Sequence, residues 1–208
     1  MIISRKYKFI FLKTNKTAGT SIEIALSKLC GDKDIITPIT PEDEMIRYKL
    51  NYRGPQNFQG FYNHISAEQV RRRIGEQSWN DYYKFCFERN PWDRVISLYY
   101  DFNRTEPRPE MSEFVGSNVL QILKVRGIEI YCIDGKIAVD RVCKFEKLEE
   151  ELDYIGKQLG FPEKLILPHA KGSFRKDKRH YTEILNRQCK EHIERVFSEE
   201  IRLFGYEF

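Results

Sequence analysis

No run of about 18 apolar residues occurs in the chain, so no stretch reads as a membrane-spanning helix. There is no C-x-x-C pair. The five cysteines, Cys30, Cys86, Cys132, Cys143 and Cys189, are odd in number and widely spaced. That pattern argues against a zinc site and a disulfide framework, and the expected compartment is the reduced cytoplasm. Charge of one sign is also scarce. The formal net charge is only +4, and the basic residues are spread out apart from small clusters at Arg71–Arg73 and Arg175–Arg179. Nothing there calls for nucleic acid, and Arg71–Arg73 reads as a solvated helix face. Met1-Ile-Ile-Ser-Arg-Lys6 leads into a strand and lacks the layout of a secretion signal. Repeats and low-complexity segments are absent. The nucleotide-kinase loop G-x-x-x-x-G-K-[ST] is absent too.

What is present is a globular composition, 41% hydrophobic with 12 Gly and 8 Pro over 208 residues. This suits one domain, residues 1–208, with a core of its own. The chain is organised around residues 9–22. Phe9–Leu12 is an apolar run that reads as a buried strand. Thr14–Gly19 is a short polar turn. A helix follows, with Ile22, Ala25, Leu26 and Leu29 at i, i+3, i+4 and i+7. A strand, a small-residue turn and a helix N-terminus together make an anion site, because the first-turn N–H groups have no partner inside the helix. Gly19 permits close backbone approach. Thr17, Thr20 and Ser21 add hydroxyls, and Lys16 adds a mobile charge. The same stretch also reads as a plain strand–turn–helix corner with a surface lysine.

Further along, residues 32–63 show no period, are punctuated by Pro and Gly, and form a candidate acceptor-binding region. A short helix begins near Glu42. Ser66 with Gln69 fits a capping box, and Ile65 with Val70 a hydrophobic staple, so a helix starts near Ala67. His64 falls on the loop before it, either as a general base or as a capping histidine. Tyr82–Glu88 is an aromatic-rich buried strand. Asn90 and Pro91 open a helix over Pro91–Phe102. Arg89 then lies at the carboxyl end of a strand, where α/β sheets bind ligands, and Ser97 points from the second turn of the next helix. Arg89 reads equally as a structural ion pair with Glu88 or Asp93. The pattern next predicts a helix over Met111–Arg126, a hairpin over Ile128–Val139 around Asp134-Gly135, and a strand over Arg141–Phe145. A helix over Leu148–Leu159 follows, and a long helix over Tyr181–Leu203 ends the series. Lys171-Gly-Ser173-Phe-Arg175-Lys176 lies on a loop that reads as a phosphate clamp or a surface turn.

Together these pieces resemble the sulfotransferases that use 3′-phosphoadenosine 5′-phosphosulfate (PAPS). The resemblance is closest to carbohydrate O-sulfotransferases and their soluble bacterial or phage-type relatives. Lys16-Thr17-Ala18-Gly19-Thr20-Ser21 resembles that family's 5′-phosphosulfate loop. Glu88-Arg-Asn-Pro-Trp-Asp-Arg94 with Ser97 resembles its 3′-phosphate motif. Asn63-His64-Ile-Ser66 resembles the segment that supplies a histidine base. Phe145-Glu-Lys-Leu148 and Phe204-Gly-Tyr-Glu-Phe208 extend the likeness to nearly the whole chain. The resemblance implies an α/β fold, with a central mostly parallel sheet flanked by helices as in P-loop nucleotide kinases. It implies sulfuryl transfer from PAPS, without metal, to a hydroxyl acceptor such as a glycan or glycolipid precursor. Lys16 would stabilise the leaving oxygen. His64 would be the base, with Glu42, Asp43 or Glu88 as substitutes. Residues 16–21, Arg89, Ser97, Ser173 and Arg175 would hold the donor. A kinase-like phosphotransferase and a non-catalytic nucleotide-binding module are the rival functions.

Overall fold

The computed structural model of the chain describes residues 1–168, 175 and 177–208. Strand β1 (Ile2–Ser4) turns back into β2 (Phe9–Phe11). Asp34 fixes that turn, accepting from Ser4 Oγ at 2.8 Å and from Arg5 N–H at 2.7 Å. The chain leaves β2 through a short polar loop and enters α1 (Gly19–Ser27). The apolar stripe Ile22, Ala25, Leu26 and Leu29 is buried, as its spacing predicts.

Segment 32–63 contains β3 (Ile35–Ile36) and α2 (Pro41–Lys49). Strand β3 is too short to leave a period, and α2 buries the polar residues Asp43 and Arg47 in place of an apolar stripe. Thr40 caps α2 by accepting from Asp43 N–H, with Pro41 at the first helical position. Ser66 caps α3 (Ala67–Ile74) as expected, and Ile65 and Val70 are both fully buried. The capping box is only half formed, because Gln69 Oε1 accepts the Tyr62 hydroxyl at 2.6 Å. A short helix α4 (Glu76–Asp81) leads to β4 (Tyr83–Glu88) and α5 (Pro91–Phe102). Asn90 caps α5, accepting from the N–H groups of Trp92 and Asp93.

Three expected elements are divided. The helix over 111–126 is two, α6 (Met111–Gly116) and α7 (Val119–Val125). Ser117 Oγ donates to the Phe114 carbonyl and its backbone is extended, which ends the first helix. The region expected as one hairpin opens with a helical turn, α8 (Ile128–Tyr131). Only β5 (Cys132–Ile133) and β6 (Lys136–Ile137) pair across Asp134-Gly135. Strand β7 (Arg141–Lys144) and α9 (Leu148–Gln158) follow as expected, joined by a 3₁₀ turn over Phe145–Lys147. The long final helix is three, α10 (Tyr181–Ile184), α11 (Arg187–Val196) and α12 (Ser198–Phe204). Asn186 caps α11 by accepting Cys189 N–H at 2.9 Å, while Leu185 stays extended and turns its side chain into the core.

The main sheet has the order β3-β1-β2-β4-β7. It is mixed. Strands β2, β4 and β7 run parallel, whereas β1 is antiparallel to both β2 and β3. The turn after Ser4 is too short for the crossover that a parallel β1–β2 pair needs. Phe9, Phe11, Phe85 and Phe87 occupy one face of the parallel trio and pack on α1 and α9, with ring centroids 5.4 to 5.8 Å apart for Phe11–Phe85 and Phe9–Phe85. Burying each such ring stabilises the fold by about 1.5–3 kcal/mol. Ile10, Leu12 and Cys86 face the other way, against Ile65, Val70 and Trp79. The parallel order brings the carboxyl ends of β2, β4 and β7 to one edge. Among the described residues no helix is long and apolar enough to cross a membrane.

Candidate active site

The loop after β2 is held in an uncommon backbone conformation. Lys16 and Ala18 have φ of 64° and 59°, in the left-handed region that few residues other than glycine adopt. Thr14 fixes the loop from below, donating to the Phe87 carbonyl of β4. Thr17 Oγ1 lies 2.9 Å from Thr14 Oγ1, and Thr17 is 1% exposed. Its hydroxyl therefore shapes the loop, and the Thr17 side chain is not among those that line the cavity. Gly19 is required by packing, since a Cβ there would meet Lys13 Cγ at 2.8 Å. No side chain among the described residues caps α1 at Ala18. Its first turn, Gly19, Thr20 and Ser21, lines a cavity of about 1180 Å³ together with Lys16 and Ala18.

The second loop meets the first directly. Arg89 Nη1 donates to the Lys16 carbonyl at 3.1 Å. The guanidinium lies 4.1 Å from the centroid of the Phe145 ring and is clamped by Asp93, with Nε donating at 2.9 Å. Asp93 also takes Arg175 Nη1, at 2.5 Å, so one carboxylate holds two arginines at the cavity wall. Burial pushes the Asp93 carboxyl up, but the Arg89 and Arg175 charges outweigh it, and the net shift is downward. Asp93, Ser97 and Asp101 repeat at i, i+4 along α5, and all line the cavity. Lys16 Nζ lies 3.1 Å from Asp101 Oδ2. The structural-pair reading of Arg89 is thus observed with Asp93 and not with Glu88. Glu88 is fully buried, accepting Arg94 Nη1 at 2.6 Å and the Tyr131 hydroxyl at 2.9 Å. That removes Glu88 as a substitute base. Arg94 in turn donates to the Asn15 carbonyl at 3.0 Å and fixes the phosphate-type loop from behind.

His64 lines the same cavity, as do Ile39, Thr40, Asp43 and Asn63. Its φ is 61°, and Nδ1 lies 2.8 Å from the Lys13 carbonyl oxygen. A carbonyl only accepts, so Nδ1 carries the proton and Nε2 keeps a basic lone pair. Burial and then the Lys13 charge push the imidazole down to about 4, well below the ordinary histidine value of 6.5 expected from the sequence. Asp43 lines the same cavity, and Glu42 does not.

The structure therefore brings Lys16, Ala18, Gly19, Thr20, Ser21, His64, Arg89, Ser97 and Arg175 to one cavity. Ser173 lies outside the described residues, as do Lys171, Gly172 and Lys176. Sequence reasoning missed Lys13, Asp93, Asp101 and Phe145 as wall residues. Asp93 and Asp101 had a signal, their spacing of four around Ser97. Lys13 had none, being the polar end of an apolar run. Among the described residues no group of three or more His, Cys, Asp or Glu is placed to hold a metal ion.

These features define an α/β protein with a cation-lined cavity at the carboxyl edge of a parallel strand trio. The chain belongs to the sulfotransferase family, which it matches over residues 1–207. A protein of Archaeoglobus fulgidus, described as uncharacterized, is 35% identical over 104 residues, covering 49% of this chain and 87% of that protein. No solved structure matches the chain significantly.

Proposed function

We propose that the chain transfers a sulfuryl group from PAPS to a hydroxyl-bearing acceptor, a glycan or glycolipid precursor, by in-line displacement. The observation that carries this reading is the single cavity shared by Lys16, the first turn of α1, Arg89, Ser97 and His64. Its volume of about 1180 Å³ suits a nucleotide with an acceptor beside it. The residues fit the donor's chemistry. The open first turn of α1 and the hydroxyls of Thr20 and Ser21 suit the 5′-phosphate. Arg89 and Ser97, with Arg175 through Asp93, suit the 3′-phosphate, and Ser173 is a further candidate contact. Phe145, Leu148 and Leu165 offer an apolar wall to the adenine. The parallel trio β2, β4 and β7, with α1 and α5 leaving its carboxyl ends, supports the P-loop-kinase-like reading of the fold.

In the proposed reaction His64 Nε2 takes the proton of the acceptor hydroxyl. The acceptor oxygen bonds to sulfur as the bond from sulfur to the phosphate oxygen breaks. That oxygen leaves with the electron pair, and Lys16 stabilises its charge. The product nucleotide is 3′-phosphoadenosine 5′-phosphate. Ile39, Thr40, Asp43 and Asn63, drawn from segment 32–63 and its edge, form the acceptor wall. The test is transfer of labelled sulfate from PAPS to a panel of glycans and small alcohols. Transfer to at least one class is expected. Binding of the product nucleotide without any transfer would favour the non-catalytic module, and transfer of phosphate from ATP would favour the phosphotransferase.

A further inference from the structure

We infer that Glu23, which no motif of the chain singles out, is a positioning residue for His64. The inference rests on the reading of His64 as the base. Glu23 lies in the second turn of α1 and is 0% exposed. An isolated carboxylate is not tolerated at such a place, and partners drawn from several parts of the chain neutralise this one. Lys13 Nζ lies 2.8 Å from Oε2. The Met1 amino group lies 2.8 Å, and Arg47 Nη2 of α2 3.3 Å, from Oε1. Thr37 Oγ1 lies 3.1 Å from the same oxygen. Together these partners outweigh burial and hold the Glu23 carboxyl down at about 2, so it stays ionised. Burial lowers the Met1 amino group itself to about 5, so the lasting charges on Glu23 are Lys13 and Arg47.

Two of those partners lead straight to the histidine. Lys13, whose ammonium Glu23 holds, presents the backbone carbonyl that receives His64 Nδ1 at 2.8 Å. Thr37, whose hydroxyl sits beside Glu23, lies 3.0 Å from Asn63 Oδ1, and Asn63 Nδ2 donates to the Pro38 carbonyl at 2.6 Å. The Met1 amino group, 2.8 Å from Glu23 Oε1, also donates to Thr37 Oγ1 at 2.7 Å and to Asn63 Oδ1 at 3.1 Å. This one carboxylate therefore braces the acceptor of the imidazole proton through Lys13, and the residue preceding the histidine through that amino group and Thr37. The brace has something to hold, because His64 sits at a φ of 61°, a backbone conformation kept only where the surroundings determine it. Lys13, Arg126 and the Met1 amino group face the imidazole. Burial lowers that amino group to about 5, so at neutral pH burial and then the Lys13 and Arg126 charges keep the imidazole neutral. The consequence is one tautomer, with Nε2 free to accept a proton.

The experiment compares the parent with Glu23→Gln and Thr37→Val, using nitrogen-15 spectra of the imidazole, sulfuryl-transfer turnover, and calorimetry with 3′-phosphoadenosine 5′-phosphate. The parent should show His64 protonated at Nδ1 alone. Each variant should show both tautomers and a kcat at least about 10-fold lower, the scale of a partly misplaced base. Nucleotide affinity should fall far less than kcat, since neither side chain lines the cavity and Glu23 reaches the phosphate loop only through the Lys13 stem that packs on Gly19. Thr37→Val keeps every charge, so it decides the matter if Glu23→Gln does not fold. A folded variant whose imidazole spectrum or turnover matches the parent overturns the inference, as does a loss of turnover matched by an equal loss of nucleotide affinity. If the parent transfers no sulfate to any acceptor, the transfer reading fails. The tautomer comparison still decides whether Glu23 positions His64.

Discussion

Lys16 Nζ lies 3.1 Å from Asp101 Oδ2, four residues beyond Ser97 on the same helix. Arg104 also reaches Asp101, at 2.7 Å. Burial raises the Asp101 carboxyl, but Lys16 and Arg104 outweigh it and the net shift is downward. A donor phosphate bound on the loop as proposed would therefore compete with Asp101 for the lysine.

Lys16→Ala should lower turnover by roughly 10²-fold or more while weakening nucleotide binding far less, because the charge matters most as the leaving oxygen ionises. Asp101→Asn should strengthen nucleotide binding by up to about fivefold, the worth of one partly exposed ion pair. Steady-state kinetics with calorimetry measure both. Full turnover in Lys16→Ala would remove the lysine from the chemistry.

His64→Ala should fold, bind nucleotide and lose roughly 10²- to 10⁴-fold in rate. In the proposed reaction the neutral imidazole is the active form, and burial with the Lys13 charge holds its protonation down at about 4. The rate should accordingly be level through neutral pH and fall only as pH drops through about 4. A rate that climbs through an ordinary histidine value near 6.5 would contradict the placement of this imidazole.

Much of this arrangement was legible because it is local. The strand Phe9–Leu12, the turn at Lys16–Gly19 and the helix after it sit within one window. So do the cap at Asn90, Pro91 and the strand-end Arg89. What was not legible depends on partners far apart in the chain. Glu23 in α1 shows only as a polar residue, and its pairing with Lys13 and Arg47 requires the fold. Glu88 next to Arg89 suggested a pair, but the sheet turns it inward to Arg94 and Tyr131. The divided helices failed for a different reason. Ser117 and Asn186 lie inside apolar periods that continue past them, and only local side-chain bonds to the backbone reveal the breaks.

Glu200 offers a test of the core apart from the site. It is 1% exposed, and its carboxylate oxygens have no hydrogen-bond partner among the described residues. Burial pushes its carboxyl up from 4.5 to about 7. The protonated form is the one the fold favours, so its stability is fully present below about 4.5 and is lost as pH rises through about 7. The loss is about 3 kcal/mol at most. Glu200→Gln should flatten the parent's decline in Tm over that window. A parallel decline in both proteins would show that Glu200 does not titrate there.

Excess chelator should leave transfer largely intact, since the charge on the leaving oxygen is assigned to Lys16 and the first turn of α1. Activity abolished by chelator and restored by magnesium would favour phosphotransfer instead.

The cavity is proposed to recognise a 3′-phosphorylated adenine nucleotide. Arg89 offers a planar fork of donors, Asp93 holds it in place beside Arg175, and Ser97 lines the same wall. Charge-assisted hydrogen bonds contribute roughly 1.5–3 kcal/mol each, so two or three of them amount to about 10²-fold or more in affinity. Calorimetry of 3′-phosphoadenosine 5′-phosphate against AMP, on the parent and on Arg89→Ala, measures this directly. The parent should prefer the 3′-phosphorylated nucleotide by about that factor, and Arg89→Ala should lose most of the preference while AMP binding barely changes. Equal affinity of the parent for the two nucleotides would contradict the assigned site and the sulfotransfer reading built on it.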